Sequence, residues 1–327
     1  MQKIIRIGTR DSELALWQAK TVQQQLEYLG HKTEIIPVKS TGDLVLDKPL
    51  YELGITGIFT KNLDIALMND EIDIAVHSLK DVPTILPKSI VQAAVLKRGN
   101  SNDMLVFKDN EEFLTQKDAV IATGSLRRRA QWLHRHPTHQ VVGLRGNVQT
   151  RLDKLKNNDW NAAIFAAAGL ERLKLKPDGA FSLDWMVPAP AQGVVVIAAL
   201  AESLEILEVC KELNDEETAM LAKVERDFLS ILEGGCSAPI GALAYIKEEE
   251  VQNTDSDAQV EENQEVTKEE PTAEELIQIE KDKFLRLFAE FENYKKRTTR
   301  ERIELFKTAG QELMTSLLPI MDDFDRG

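Results

Sequence analysis

The feature that most constrains the fold is a regular alternation of strand-like and helix-like patterns along residues 1–247. KIIRIGTR, TEIIPVKS, DIAVHSL, AVIATGS and QVVGLR read as strands, and AAIFAAAGL reads as a strand followed by a turn. The stretches between them carry the apolar spacing of short helices. Such alternation is typical of doubly wound α/β sheets with parallel strands. The pattern is too long for one such sheet and predicts two α/β domains.

The last part of this region has a helical pattern, and an acidic stretch comes after it. ILEVCKEL and DEETAMLAKVERDFLSIL indicate helices of a third unit. Residues 248–275 then hold twelve acidic side chains and one lysine, which is most of the net charge of −14. Since 248–274 also lacks aromatic residues, it predicts an acidic disordered linker. Apolar residues spaced by three, four or seven over 275–327 indicate a long helix of coiled-coil type; a helix folded back on the main body is the alternative.

Composition excludes several classes of protein. The chain has two cysteines, Cys210 and Cys236, so no disulfide framework is implied and a reducing compartment fits best. The N-terminus lacks the pattern of a secretory signal, and no run of 18 apolar residues is present. Acidic charge also argues against general nucleic-acid binding. We therefore expect a cytoplasmic protein that binds neither membrane nor nucleic acid.

Polar residues follow the predicted strands where ligands of doubly wound sheets bind. HSLKDVP places Ser78, Lys80 and Asp81 directly after a buried strand. An ionised carboxylate close to several cations could stabilise a developing positive charge or move protons. A solvated turn with a local Lys–Asp pair is the alternative reading of these residues.

Arginines and small polar residues recur at other predicted strand ends. Guanidinium groups bind carboxylates and phosphates with two parallel hydrogen bonds, and a helix N-terminus adds backbone N–H donors. These positions therefore predict a cleft for a polyanion or polycarboxylate, although a cationic helix face is often only solvated. They are Arg10 and Ser12; Thr123, Ser125, Arg127 and Arg128; Arg145, Asn147 and Arg151; and Arg172.

Two further features invite a chemical reading. The cluster His134, His136 and His139 is interpreted as a surface turn, because no cysteine or carboxylate stands at ligand spacing and no metal is expected. Cys210 occupies an apolar helix position and is expected to be inert packing. Cys236 lies in the glycine-rich EGGCSAPIG, where either thiolate chemistry with covalent attachment or a plain turn is possible from the local sequence.

Taken together, six ordered motifs over about 4–246 resemble hydroxymethylbilane synthase, also called porphobilinogen deaminase. They are IGTRDSELALWQ, HSLKDVP, TGSLRRRAQ, GLRGNVQTRL, PAPAQG and EGGCSAPIG. The resemblance implies two domains similar to periplasmic-binding-protein halves and a third domain that carries the cysteine. It also implies that four porphobilinogen molecules condense head to tail into hydroxymethylbilane with release of ammonia.

The resemblance further implies roles for individual residues. A covalent dipyrromethane cofactor on Cys236 would act as primer, and Asp81 with Lys80 would be catalytic. Cofactor binding would involve Cys236, Arg127, Arg128, Ser125, Thr123, Lys80 and Asp81. Substrate binding would involve Arg10, Ser12, Ser78, Arg145, Asn147, Arg151, Arg172 and Gln192.

The sequence departs from this family in two places. Thr56 stands where many relatives have lysine, and the resemblance ends near Tyr245, before the third domain of the family is complete. Residues 250–327 instead resemble the acidic and long-helix region of GrpE-type nucleotide-exchange factors. This second resemblance implies a tail that dimerises or contacts a DnaK-type chaperone, joined to a synthase part expected to be monomeric.

These observations predict a definite domain plan. Its parts are 1–98 with 190–212, a first α/β domain; 99–189, a second; 213–247, a truncated α+β cysteine domain; 248–274, the linker; and 275–327, the GrpE-like helix. We expect weak order over 215–247, because a truncated domain leaves apolar surface uncovered. The predicted function is hydroxymethylbilane synthase. The alternative is an inactive fusion or binding protein whose tail acts as a chaperone-associated dimerisation module.

Overall fold

The computed structural model describes residues 4–39, 60–232 and 239–246. The chain divides into two units, residues 1–249 and 250–327, and the second lies wholly outside the described residues. Within the described ranges, no helix is long and apolar enough to cross a membrane.

Several predictions concern residues outside those ranges. Thr56, the cysteine loop with Cys236, the acidic linker over 248–274 and the long helix over 275–327 all belong to this group. They stay predictions, and the fold below is that of the first unit.

The first sheet is built around the N-terminal strand. Its five strands are β1 Ile4–Arg10, β2 Lys32–Val38, β3 Ile74–Ser78, β4 Ile90–Val95 and β10 Val195–Leu200, in the order β2-β1-β3-β10-β4. The helices of this part are α1 Glu13–Tyr28, α2 Lys61–Met68 and α6 Leu204–Lys211. We call this part the first lobe.

Side chains of the central strand β3 show why helices cover both faces of this sheet. Ile74 and Val76 join an apolar cluster with α1 and with Cys210 of α6, whereas Ala75 between them joins a cluster with Leu67 of α2. Successive strand residues point to opposite faces, and all three are buried. The predicted doubly wound arrangement is therefore confirmed here.

The second sheet repeats this plan with the middle of the chain. Its strands are β5 Asp103–Phe107, β6 Val120–Ala122, β7 Gln140–Val142, β8 Ala162–Ala166 and β9 Ala180–Ser182, in the order β7-β6-β8-β5-β9. Its helices are α3 Leu126–Arg135, α4 Val148–Asn157 and α5 Ala167–Arg172. Ile164 packs with Trp132 of α3 on one face, and Phe165 packs with Leu152 of α4 on the other. We call this part the second lobe.

The expectation of purely parallel sheets was wrong, because each sheet contains one antiparallel strand. β10 runs antiparallel to β3 and β4, and β5 runs antiparallel to β8 and β9. Both strands enter their sheet from the other lobe, at residues 96–102 and 183–194, so their direction is not set by a preceding helix of the same lobe. These two crossing segments connect the lobes.

Some elements were not predicted from the pattern. The strands β4, β5 and β9 were missed, and the residues after AAIFA form the helix α5 where a turn was expected. β5 begins with Asp103, a residue that is uncommon in buried strands, and the Ala-Ala-Gly-Leu-Glu-Arg run of α5 was read as turn because of its glycine.

The third part contributes helix α7, Glu216–Ile231, to the described residues. Its Ala222, Glu225 and Leu229 are buried, and the expected weak order over 215–247 stays a prediction for hydrogen exchange. Ala222 packs with Leu79 and Val95 of the first lobe, which explains how this helix is held.

Candidate active site

The loop after β3 displays the predicted catalytic residues at the end of a central strand. A short 3-10 helix, Leu79–Asp81, follows Ser78 directly. The side chain of Leu79, its first residue, is buried. The Ser78 hydroxyl accepts a hydrogen bond of 2.8 Å from Gln18 Nε2. With the loop anchored in this way, Lys80 and Asp81 are only partly buried and lie at the carboxyl end of β3.

Lys80 is held beside the second crossing segment. Its Nζ donates to Gln192 Oε1 at 3.3 Å. Burial lowers the pKa of Lys80 to about 8, against the opposing charge of Asp81. The ammonium is therefore poised to lose its proton not far above neutrality, which is unusual for lysine.

The two adjacent arginines of α3 share one buried carboxylate that sequence reasoning missed. Asp103, fully buried at the start of β5, contacts Arg127 Nη1 at 2.7 Å and Arg128 Nη2 at 2.7 Å. Burial raises the pKa of Asp103, but the charges of Arg128 and Arg127 outweigh burial and bring it to about 2. Both guanidinium groups also donate to backbone carbonyls: Arg127 to Val187 O, and Arg128 to Ile164 O.

Gln192 connects this ion-pair cluster with the loop after β3. Its amide nitrogen donates to Asp103 Oδ1 at 2.9 Å and to Ser101 O at 2.8 Å, while its oxygen accepts from Lys80. These partners fix the amide orientation. Gln192 was predicted as a substrate ligand, but it is 1% exposed and its side chain is hydrogen-bonded to Lys80, Ser101 and Asp103.

Charged residues from several elements act on Arg151 of α4. Burial, together with the charges of Arg128, Arg145 and Arg10, lowers the pKa of Arg151 to about 10, and Asp81 opposes this shift. Charge effects of this kind require short distances between the groups. Arg10 of β1, Asp81 of the β3 loop, Arg128 of α3 and Arg145 of the β7–α4 loop therefore all lie within electrostatic range of Arg151. The polyanion cleft stays a prediction.

Four of the predicted hydroxyl and amide ligands accept hydrogen bonds from backbone groups of their own turns. Ser12, Ser125 and Asn147 are the N-caps of α1, α3 and α4, and their side chains accept from Ala15 N, Arg128 N and Thr150 N. The buried Thr123 accepts from Ser125 N at 3.2 Å. Each hydroxyl keeps a proton that it can donate to an anion.

Arg172 is placed at the crossing segments. Its Nη2 donates to Gly193 O at 2.7 Å, and its guanidinium lies 5.4 Å from the ring centroid of Trp17. Gly193 has φ +87°, and Gly99 N of the other crossing segment also donates to its carbonyl at 3.0 Å. Arg172 therefore ties the second lobe to the connection between lobes.

The histidine cluster lies in the expected surface turn only in part, since His134 is exposed. His139 is buried, and the rings of Trp132, His136 and His139 stack with centroids 4.6 and 4.9 Å apart along the series. Within the described residues, no group of three potential ligands could hold a metal ion. Cys210 is buried as predicted, and burial raises the pKa of its thiol to about 12.

Four residues with polar contacts inside the protein, Asp103 among them, were not predicted from the sequence. Asp103, Arg98, Glu225 and Arg226 all make buried or partly buried polar contacts between elements distant in sequence. An acidic residue that opens the apolar run DMLVF was the one sequence signal that could have pointed to a buried ion pair.

Comparison with known proteins gives two matches along the chain. The family model "Porphobilinogen deaminase, dipyromethane cofactor binding domain" matches residues 5–208, and the GrpE family model matches residues 247–327. Among solved structures, the Bordetella pertussis BvgS periplasmic VFT2 domain is similar with a TM-score of 0.39 and 12% identity, covering 68% of this chain and 93% of that one.

Curated relatives agree with the first match. The chain is 46% identical over 247 residues to the probable porphobilinogen deaminase of Methanocaldococcus jannaschii, covering 75% of this chain and 84% of that protein. It is 43% identical over 252 residues to the porphobilinogen deaminase of Campylobacter jejuni, covering 75% and 81%. These matches establish that the chain belongs to the porphobilinogen deaminase family of transferases and ends in a segment that matches GrpE.

Proposed function

We propose that this chain works as a hydroxymethylbilane synthase. It condenses four porphobilinogen molecules head to tail and releases ammonia. The observation that carries the proposal is the family match over residues 5–208, and it is supported by the charges of Arg10, Arg145 and Asp81 that act on Arg151. Porphobilinogen carries two carboxylates on each pyrrole, so a growing chain of pyrroles needs many guanidinium partners in one region.

The donor set also fits the dipyrromethane cofactor of the family. Burial is the largest cause of the lowered pKa of Arg151, and the charges of Arg128, Arg145 and Arg10 lower it further while Asp81 alone opposes them. A cofactor with several carboxylates would relieve that repulsion. When bound to Cys236, dipyrromethane supplies the primer to which substrate is added.

The residue roles follow from these charges. We assign Asp81 to the pyrrole N–H groups, where a carboxylate stabilises positive charge that develops during condensation. Lys80, with its pKa near 8, provides an ammonium for a carboxylate and can exchange a proton near neutrality. The other proposed ligands of cofactor and substrate carboxylates are Arg127, Arg128, Thr123, Ser125, Ser12, Ser78, Asn147, Arg172 and Gln192. Of these, Arg127, Arg128, Arg172 and Gln192 already bind protein groups, so we expect them to act chiefly by orienting their neighbours.

A pair of cysteine variants tests the proposal. In a host that makes porphobilinogen, the purified full chain is expected to carry the mass of a dipyrromethane and to convert porphobilinogen into hydroxymethylbilane. Cys236→Ser is expected to lose both properties. Cys210→Ser is the matched control, because its thiol is buried in the first lobe and should leave adduct and turnover intact. A wild-type chain without adduct or activity contradicts the proposal.

The domain limits are proposed as predicted: 1–98 with 190–212, 99–189, and 213–247. The sheets support this division, since β10 at Val195–Leu200 returns to the sheet of β1 after the second sheet ends at Ser182. Limited proteolysis between the lobes, at residues 96–102 or 183–194, would test it. We also keep the cytoplasmic location as a prediction.

The GrpE match favours a second activity for the C-terminal unit. We propose that residues 250–327 dimerise or contact a DnaK-type chaperone, while the synthase part is monomeric. Sedimentation of the full chain against a chain ending at 249 tests dimerisation, and ADP release from a DnaK-type ATPase tests the chaperone contact. Equal monomer masses and unchanged ADP release would exclude both.

A further inference from the structure

Helix α7 contacts the backbone of the loop that carries Lys80 and Asp81. Arg226 Nη1 donates to Leu79 O at 3.1 Å and to Val82 O at 3.0 Å. Its Nη2 donates to Pro83 O at 2.6 Å. One guanidinium thus reaches carbonyls on both sides of the two predicted catalytic residues, including two just past the 3-10 helix.

The same helix also packs against the side chains that flank those residues. Leu79 and Val82 are buried in one apolar cluster with Ala222 of α7, and Ala219 packs at its edge. Lys80 and Asp81, between them, are only partly buried. The loop is therefore fixed by its flanking residues, with apolar contacts on its side chains and Arg226 on its carbonyls.

We propose that Arg226 is a positioning residue of the synthase reaction, which sets the backbone from which Lys80 and Asp81 reach the substrate. The proposal rests on the proposed function for its kinetic consequence. A planar guanidinium can donate to several carbonyls at fixed angles, whereas an ammonium is a single point and a methionine donates nothing. Since α7 belongs to the third part of the chain, that part would be needed for loop geometry in addition to cofactor attachment.

Three variants of the full chain test this role. Arg226→Met keeps length without donors, Arg226→Lys keeps charge, and Lys223→Met is the control one turn earlier, where the side chain is exposed and pairs with Asp227. We expect Arg226→Met to lower kcat by about tenfold to a hundredfold, as small displacements of catalytic groups do, with a much smaller change in KM. Arg226→Lys should be intermediate, and Lys223→Met should match wild type.

Hydrogen exchange separates positioning from general damage and from failure of the proposed function. In Arg226→Met we expect faster exchange at residues 79–84 while β3 residues 74–77 keep their protection. Unchanged exchange at 79–84, or a kcat like that of Lys223→Met, overturns the proposal. If the methionine variant does not fold, Arg226→Lys decides by the same two measurements. If wild type lacks synthase activity, the proposed function fails, and the exchange result still tests whether Arg226 holds the loop.

Discussion

At the scale of single residues, the buried carboxylate of Asp103 pairs with Arg127 and Arg128. The sequence predicts that these two arginines bind the cofactor. Asp103→Asn removes its charge and leaves two guanidinium groups buried beside a neutral amide. Breaking a buried pair in this way costs about 3–5 kcal/mol. Urea unfolding should show that loss, and Asp109→Asn on the exposed loop after β5 should stay within about 0.5 kcal/mol of wild type. A loss below about 1 kcal/mol of unfolding free energy in Asp103→Asn would contradict the expected contribution of these ion pairs to stability.

The same residue predicts part of the acid sensitivity. The folded pKa of Asp103, about 2, lies below the ordinary value of 3.8. The unfolded chain therefore takes up a proton first, and the stability from Asp103 is present above pH 3.8 and lost as pH falls toward 2. We expect Asp103→Asn to flatten the stability–pH curve in that window. A curve of unchanged slope would show that other carboxylates dominate there.

Lys80 predicts a change at the opposite end of the pH range. With a pKa of about 8, its ammonium is protonated below that pH and neutral above it. If it binds a substrate carboxylate, KM should rise as pH passes 8. Lys80→Arg keeps its charge, so its KM should stay flat there, while the exposed control Lys88→Arg should follow wild type. An alkaline rise in KM that persists in Lys80→Arg would assign it to another group.

At the scale of elements, α7 joins the crossing segments by means of Glu225. Its buried carboxylate accepts from Arg98 Nη1 at 2.6 Å, from Ala191 N at 2.6 Å and from Ala244 N at 2.8 Å. Arg98 belongs to the first crossing segment and Ala191 to the second. One side chain of the third part therefore holds both connections between the lobes.

Glu225→Gln tests this link. The amide keeps the shape of the side chain but leaves the partly buried Arg98 without its counter-charge, so we expect a loss of about 3–5 kcal/mol in unfolding free energy. Glu208→Gln on the exposed face of α6 is the control and should cost less than about 0.5 kcal/mol. Thermal unfolding of the two variants side by side measures the difference. Equal stabilities would mean that the Arg98–Glu225 pair adds nothing over its neutral replacement.

The elements also show what could be predicted from the sequence. Helices such as α1 and α4 followed from apolar spacing, because this signal is local. The structure shows Ser12 and Asn147 as their N-caps. The antiparallel strands β5 and β10 could not be predicted, since their direction depends on where the chain re-enters a sheet after a long excursion. Arg127 and Arg128 were found by their motif, but their partner Asp103 was not, because the acidic start of DMLVF indicates a buried charge without indicating which distant residue pairs with it.

At the scale of the whole molecule, α7 presents an apolar outer stripe although its inner face is buried. Met220, Val224 and Ile231 are each more than half exposed. Exposed apolar groups of this spacing favour association. We expect Val224→Glu to lower light scattering of concentrated protein while leaving the unfolding midpoint and kcat unchanged. Wild type and Val224→Glu with the same scattering would show that the stripe does not associate.

The two crossing segments have a mechanical consequence. A single tether would let one lobe swivel freely against the other, but here two tethers run side by side and are bonded from Gly99 N to Gly193 O. Two lobes joined by two bonded segments can bend about those segments but resist twisting. We therefore expect the two lobes to open and close by a single hinge angle about the crossing segments.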